Sequence, residues 1–283
     1  MIENYTQEQA DHLVKIAYDL ILLRPPDPPG ATAAAANLVS GKSDIQALFR
    51  ALLQSEEFAA NQAPFVHRYV KPENRPLLLD HTQNGEFKFI LEFLMAHGHT
   101  NKIIVDVGAH GIERSNSYDL MKHFDWRGLL IEANARLHSS IRDAFAGTRF
   151  ELVNAAVSDY EGSAEFFFGV NDDVSSLNQN AAAGWGDIQG KTIVNVLRLA
   201  TLLDRHDIPA AFDILSLDIE GEDVRALNML IEASAYRPRL VVIEIGDRPG
   251  MADLAALGFS SAVSQHYGYF AHCGPNLFLK CIA

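Results

Sequence analysis

Two apolar runs of this chain end in a cluster of acids: "LDIEGED" holds Asp218, Glu220, Glu222 and Asp223, and "RLVVIEI" holds Glu244. Asp218 and Glu244 each close a row of large aliphatic residues. Both therefore belong at a strand's carboxyl end, where ligands bind in open α/β sheets. Carboxylates held close together repel unless a proton or a cation lies between them. With a shared proton, such a pair can act as general base toward a hydroxyl. With a cation, an all-oxygen ligand set suits Mg or Mn rather than Zn. Asp218, Glu222 and Asp223 also fit a structural part, capping the next helix or meeting its dipole. Asp218, Glu244 and Glu220 are the catalytic candidates, and Asp218 and Glu244 the metal candidates.

A second constellation lies in "KIIVDVGAHGIERSN". An apolar run ends on Asp106, and Gly108 and Gly111 bracket the turn that follows. About 20 residues further on, Glu132 ends "GLLIEA", the spacing of an acid that accepts ribose hydroxyls. The dinucleotide fingerprint needs a third glycine, which "GAHG" lacks, and no lysine followed by Ser or Thr makes a phosphate loop. A single nucleoside without a pyrophosphate does not need that glycine, which favours S-adenosylmethionine over NAD. His110 in this turn, with His266 and His272 in "SQHYGYFAHCG", competes for the role of base, since a neutral imidazole accepts protons near pH 7.

The runs "KIIVDV", "GLLIEA", "FELVNAAV", "FDILSLDI" and "RLVVIEI" alternate with helical stretches. This pattern predicts an α/β fold with a mostly parallel, doubly wound sheet covered on both faces. "LEFLMAHGH" predicts a helix ahead of the first strand, and "AEFFFGV" and "KTIVNV" predict extra strands near the third. The tail from Leu257 has no helical period and predicts a C-terminal antiparallel hairpin. "NDDVSSLNQNAAAGWGDIQG" reads as a long loop of the lid type, in which Trp185 either stacks on a sugar face or anchors the loop. Before Pro64 the periodicity is helical. Residues 8–23 carry a face of Leu13, Ile16, Ala17, Leu20 and Leu23. Two more helices follow, over 31–39 and 43–53, the latter with a stripe of Ile45, Leu48, Phe49, Leu52 and Leu53. "RPPDPPG" stops the first helix, because proline removes a backbone donor. The expected division is a small all-α bundle over 1–63 and a catalytic domain over 64–283.

Composition narrows the partners. Of 283 residues, 36 are acids and 23 bases, a formal charge of −13 that disfavours nucleic acid, whose phosphates must be neutralised by Lys and Arg. Two cysteines, Cys273 and Cys281, are too few for a disulfide framework and read as free thiols of a reducing compartment. The N-terminal stretch lacks the basic start of a signal peptide, and no run approaches the ~20 apolar residues of a membrane span. The expected location is cytoplasmic, and a homo-oligomer is compatible with the composition.

Taken together, "IIVDVGAHGIERSNS", "GLLIEANARLHSSI", "VNAAVSDYEGSAEFF", "TIVNVLRLATLLDRHDI" and "FDILSLDIEGEDVRALNML…RPRLVVIEI" resemble the FkbM-type methyltransferases in order and spacing, over roughly Lys102 to Ile245. The resemblance implies a Rossmann-like class I enzyme. Such an enzyme takes a methyl group from S-adenosylmethionine and places it on a hydroxyl of a sugar, glycan or glycosylated metabolite. It assigns Asp106, Gly108, Ala109 and Gly111 to the cofactor loop and Glu132 to the ribose. Ser158 or Asp159 would lie near the adenine, and Asn116 and Ser117 near the methionine end, with a helix N-cap as the other reading of Asn116. Two departures stand out: Ala133 replaces a frequent proline, and Ser216 stands where many members have lysine. The N-terminal part resembles a small bacterial helical module of unknown function through Arg24, Pro26, Asp27, Gly30, Gly41 and Phe58. That module accompanies glycan-related enzymes. The alternative is an inactive cofactor-binding scaffold whose bundle recruits such a partner.

Overall fold

The computed structural model describes residues 5–22, 24–60, 80–170, 174–184, 186–246, 250 and 252–282. The chain divides into two compact units, Met1–Leu79 and Asp80–Ala283. The boundary expected at Pro64 lies outside the described residues.

The first unit is helical, with helices Gln7–Ile21, Pro28–Val39, Ile45–Leu53 and Glu56–Ala60. Each of the first three starts on a residue whose side chain accepts a backbone N–H: Thr6, Asp27 and Asp44. The buried stripe of the first helix is Ala10, Val14, Ala17 and Ile21, while Ile16 is exposed. The buried face shares Ala17 with the expected one but takes in Ala10, Val14 and Ile21 instead of Ile16. Leu23 and the side chain of Leu20 lie outside the described residues. Arg24 donates two hydrogen bonds to Glu57, at 2.5 and 2.6 Å. Gly30 packs against Asp27 and Tyr18, where an added Cβ would lie 3.0 Å from the Asp27 carboxylate.

The second unit carries a seven-stranded sheet in the order β3-β2-β1-β7-β8-β10-β9. Its strands are β1 (Ile103–Val107), β2 (Arg127–Ile131), β3 (Arg149–Val153), β7 (Ile214–Leu217), β8 (Leu240–Glu244), β9 (Tyr267–Cys273) and β10 (Asn276–Cys281). Pairing is parallel from β3 through β8, and β10 runs antiparallel to both β8 and β9. This is the doubly wound, Rossmann-like arrangement with a closing hairpin. The strand order reverses between β1 and β7, so a crevice opens at their carboxyl ends. The central strands are buried throughout, which explains their continuous apolar runs.

Three expectations need correction. The run "FELVNAAV" is not one strand: it breaks after Val153, and β4 (Ala156–Val157) leaves the main sheet. With β5 (Gly162–Phe168) and β6 (Gly190–Leu197) it forms a second sheet in the order β4-β6-β5. The tail contains a helix, Ser261–His266, capped by Ser260. Six residues are too few to display a period. The loop after β5 has structure of its own, since Ser176 pairs with Phe167 and Asn178 caps a single turn, Gln179–Ala182. Trp185 lies outside the described residues. Among the described residues no helix is long and apolar enough to cross a membrane.

At the amino ends of the central strands sits Asp213, with no exposed surface. Its carboxylate accepts the N–H groups of Thr100, Asn101 and Lys102 at 2.7–3.0 Å and the Arg239 guanidinium at 2.8 Å. Arg239 also donates to the carbonyls of His97 and Gly98, where the helix Glu86–His97 ends. One acid thus ties the entries of β1, β7 and β8 together. Asp213→Ala leaves three amides and a guanidinium short of a partner. It should lower unfolding free energy by about 3 kcal/mol or more in denaturant titration.

Candidate functional site

Asp106 on β1 stands in register with Ser216 on β7. Its carboxylate accepts the Ser117 hydroxyl at 2.5 Å, and Ser216 also bonds to it. Burial pushes its pKa up, against the pull of those two hydroxyls. Asn116 donates to Ser216 at 3.1 Å. Asp106, Asn116, Ser117 and Ser216 are thus one polar network beneath the crevice. Asn116 is not the helix cap. Helix Tyr118–Phe124 begins after Ser117, and Ser115 accepts the N–H groups of Ser117 and Tyr118.

The turn after β1 is shaped by its neighbour. Gly108 has φ +85°, and a Cβ on it would fall 1.8 Å from the Asp218 carbonyl oxygen. Asp218 in turn donates its N–H to the Val107 carbonyl at 3.0 Å. The two loops are therefore locked back to back. Gly111 is different, for a Cβ there would meet only the Ser140 carbonyl, at 4.0 Å.

Between these loops and the second sheet lies a cleft of about 260 Å³. Of the residues expected from sequence, Gly108, Glu132, Asp218, Glu220 and Glu244 line it. Asp106, Ala109, Gly111, Asn116, Ser117, Ser158 and Asp159 do not appear on its wall. Glu132 follows β2, with its main-chain carbonyl pinned by His138 at 2.9 Å and Asn154 at 3.0 Å. Its carboxylate accepts the Asn134 N–H at 2.5 Å. Beside it runs an apolar slot made by Ile131, Ala133, Leu137, Val157, Phe166 and Leu177.

The opposite end is acidic. Asp218, Glu220 and Glu244 present oxygens that all lie within 4.8 Å of one another. Asp218 and Glu244 stand close enough for each to disfavour the other's ionisation. Burial, then the Glu244 charge, pushes the Asp218 carboxyl well above the usual range. Burial raises Glu244 as well. Glu220 holds a left-handed φ of 55°. Its loop is tied by Asp223, which accepts the N–H groups of Ile219 and Gly221 at 2.9 and 3.0 Å. Burial and the neighbouring Asp218 push Asp223 up to about 7. Ser176 closes the loop from the other side, donating to the Glu220 carbonyl at 2.8 Å. Ser158 reaches the cleft only through Glu222, to which it donates at 2.6 Å.

Several lining residues carried no signal in the sequence: Gln83, Arg114, Val174 and Ser175. Ser175 is notable because its hydroxyl is buried with no hydrogen-bond partner among the described residues. Behind the acids, Glu86 is buried and accepts from Asn84 and Asn276, at 2.8 and 2.7 Å. Of the histidines, His110 lines the cleft. His272 bonds to Tyr269 on β9, and His266 ends a helix.

The model of the methyltransferase FkbM domain matches residues 106–274, from the first strand's acid to the turn between β9 and β10. The chain belongs to the FkbM methyltransferase family. Neither a curated protein nor a solved structure matches the chain. Methyltransferases of this family in general take their methyl group from S-adenosylmethionine. The lining of this cleft would suit such a donor: the Glu132 carboxylate, an apolar slot, the Ser175 hydroxyl with no partner among the described residues, and three clustered acids.

The two glycines should separate in experiment. Gly108→Ala forces apart the loops of β1 and β7 and should cost about 3 kcal/mol of stability in a denaturant titration. Gly111→Ala should stay within about 0.5 kcal/mol of wild type.

Proposed function

We propose that the protein is a cytoplasmic S-adenosylmethionine-dependent O-methyltransferase. Its acceptor is a hydroxyl of a sugar, glycan or glycosylated metabolite. The observation that carries this reading is one cleft with Glu132 beside an apolar slot at one end and the clustered carboxyls of Asp218, Glu220 and Glu244 at the other. When bound, the cofactor supplies an electrophilic methyl group on a positively charged sulfur. Glu132 accepts the ribose hydroxyls, and the slot excludes water from the purine. A sugar hydroxyl is a poor nucleophile until its proton is taken. Glu244, held beside the Asp218 carboxyl, would accept the proton that the acceptor hydroxyl loses as its oxygen bonds to the methyl carbon and the carbon–sulfur bond breaks. Orientation of acceptor and donor in line supplies much of the remaining rate.

A second reading places Mg or Mn between Asp218, Glu220 and Glu244, and it rests on their mutual distances. The cation would hold the acceptor oxygen and lower its pKa. In either reading residues 64–283 carry the catalysis; recruitment of a glycan-related partner by the bundle, residues 1–63, belongs to the alternative of an inactive scaffold.

Glu132→Ala should weaken S-adenosylmethionine binding by about 10-fold in calorimetry, through loss of a charged acceptor. Asp218→Asn and Glu244→Gln should each lower turnover by about 100-fold or more while cofactor affinity survives. Full turnover in both variants would remove the base from this site. Chelator followed by metal add-back separates the two readings: full activity in chelator discards the cation and leaves the carboxyl pair.

A further inference from the structure

Two backbone donors of the turn after β1 are already committed. The N–H groups of Gly108 and Ala109 both donate to the Ile131 carbonyl, at 2.9 and 3.2 Å. The helix after the turn spans only Tyr118–Phe124, and Ser115 accepts the N–H groups at its entry, at 3.3 and 3.0 Å. Asp119 adds a carboxylate to its first turn. Neither this pair of turn amides nor this helix start offers an anion the welcome that such elements often give.

The charge of the cleft makes the matter acute. Glu132, Asp218, Glu220, Glu222 and Glu244 all line it. Arg114 is the one arginine or lysine on its wall among the described residues. The amino-acid end of S-adenosylmethionine is a zwitterion beside a sulfonium. Its ammonium and sulfonium suit the acids, but its α-carboxylate is repelled by them and needs a cation. A guanidinium matches a carboxylate in shape as well as charge, with paired N–H donors.

Arg114 is also built into place. Its φ is +61°, a left-handed conformation that residues with side chains avoid. The next residue is fixed, since Ser115 donates its N–H to the His81 carbonyl at 3.0 Å. His81 is itself held by Asp119, through its N–H at 3.0 Å and its ring Nδ1 at 2.9 Å. Held backbone strain of this kind recurs where a side chain clamps a ligand.

The geometry points to Arg114 as the cation that pairs with the α-carboxylate of the cofactor, so that the cleft selects an S-adenosyl amino acid over the corresponding amine. This rests on reading the cleft as the S-adenosylmethionine site. The test is calorimetry with S-adenosylmethionine and its decarboxylated form, on wild type, Arg114→Ala and Arg114→Lys. Wild type should prefer the carboxylated ligand by about 10-fold or more. Arg114→Ala should lose that preference by weakening S-adenosylmethionine alone, and Arg114→Lys should keep part of it. Equal weakening of both ligands marks a merely structural role and overturns the assignment. So does a preference that survives in Arg114→Ala, or a wild type without one. A wild type that binds neither ligand instead removes the cofactor reading itself.

Discussion

The site depends on how closely two loops approach. The Asp218 carbonyl occupies the space that a side chain at position 108 would need. Only a glycine there, with its backbone turned left-handed, lets the carboxyl ends of β1 and β7 touch. That contact fixes Asp218 relative to the glycine turn after β1, with Glu244 on the next strand of the sheet. The glycine of a nucleotide-type turn thus serves first to seat the acid loop beside it. Approach of a ligand is a second demand on the same turn.

Gathering acids in this way costs stability. Asp218, Glu244 and Asp223 are all pushed toward their protonated forms, first by burial and then by neighbouring charge. Ordinary surface carboxylates would move apart. Here Asp223 grips the loop's amides, Ser176 holds its carbonyl, and Ser158 engages Glu222. Because positive charge relieves the repulsion, a cationic ligand gains from a strain that the empty protein bears. The inserted segment after β5 therefore supports the acid loop as well as walling the cleft.

The sequence was most legible where a single local rule acts. Continuous apolar runs marked β1, β2, β7 and β8, and the acids that end them marked the rim. The glycine turn and Glu132 were visible by spacing alone. What stayed hidden depends on contacts far apart in the chain. Nothing in residues 80–86 announces that Gln83 lines the cleft or that Glu86 is buried, because this segment is placed by distant contacts, His81 with Ser115 and Glu86 with Asn276. Nor does spacing distinguish acids that face the cleft from those that hold the scaffold. Asp106 ends an apolar run as Asp218 does, yet Ser117 and Ser216 turn it into an internal anchor. Very short elements, such as Ser261–His266 and β4, escape because a period needs length to show.

The hairpin at the sheet's edge has a consequence for the order in which the molecule assembles. β10 inserts between β8 and β9, with Asn276 opposite Glu244 and bonded to Glu86, 190 positions earlier in the chain. The thiol of Cys273 likewise reaches back to the Asn84 carbonyl. Closing loops of that length is slow relative to local pairing. During synthesis, β1, β2, β7 and β8 can pair while the last strands are still in the ribosome. Glu244 meets Asn276, and Glu86 its Asn276 partner, only once β10 is in place. Until then the edge of β8 that β10 covers is open to pairing with other chains.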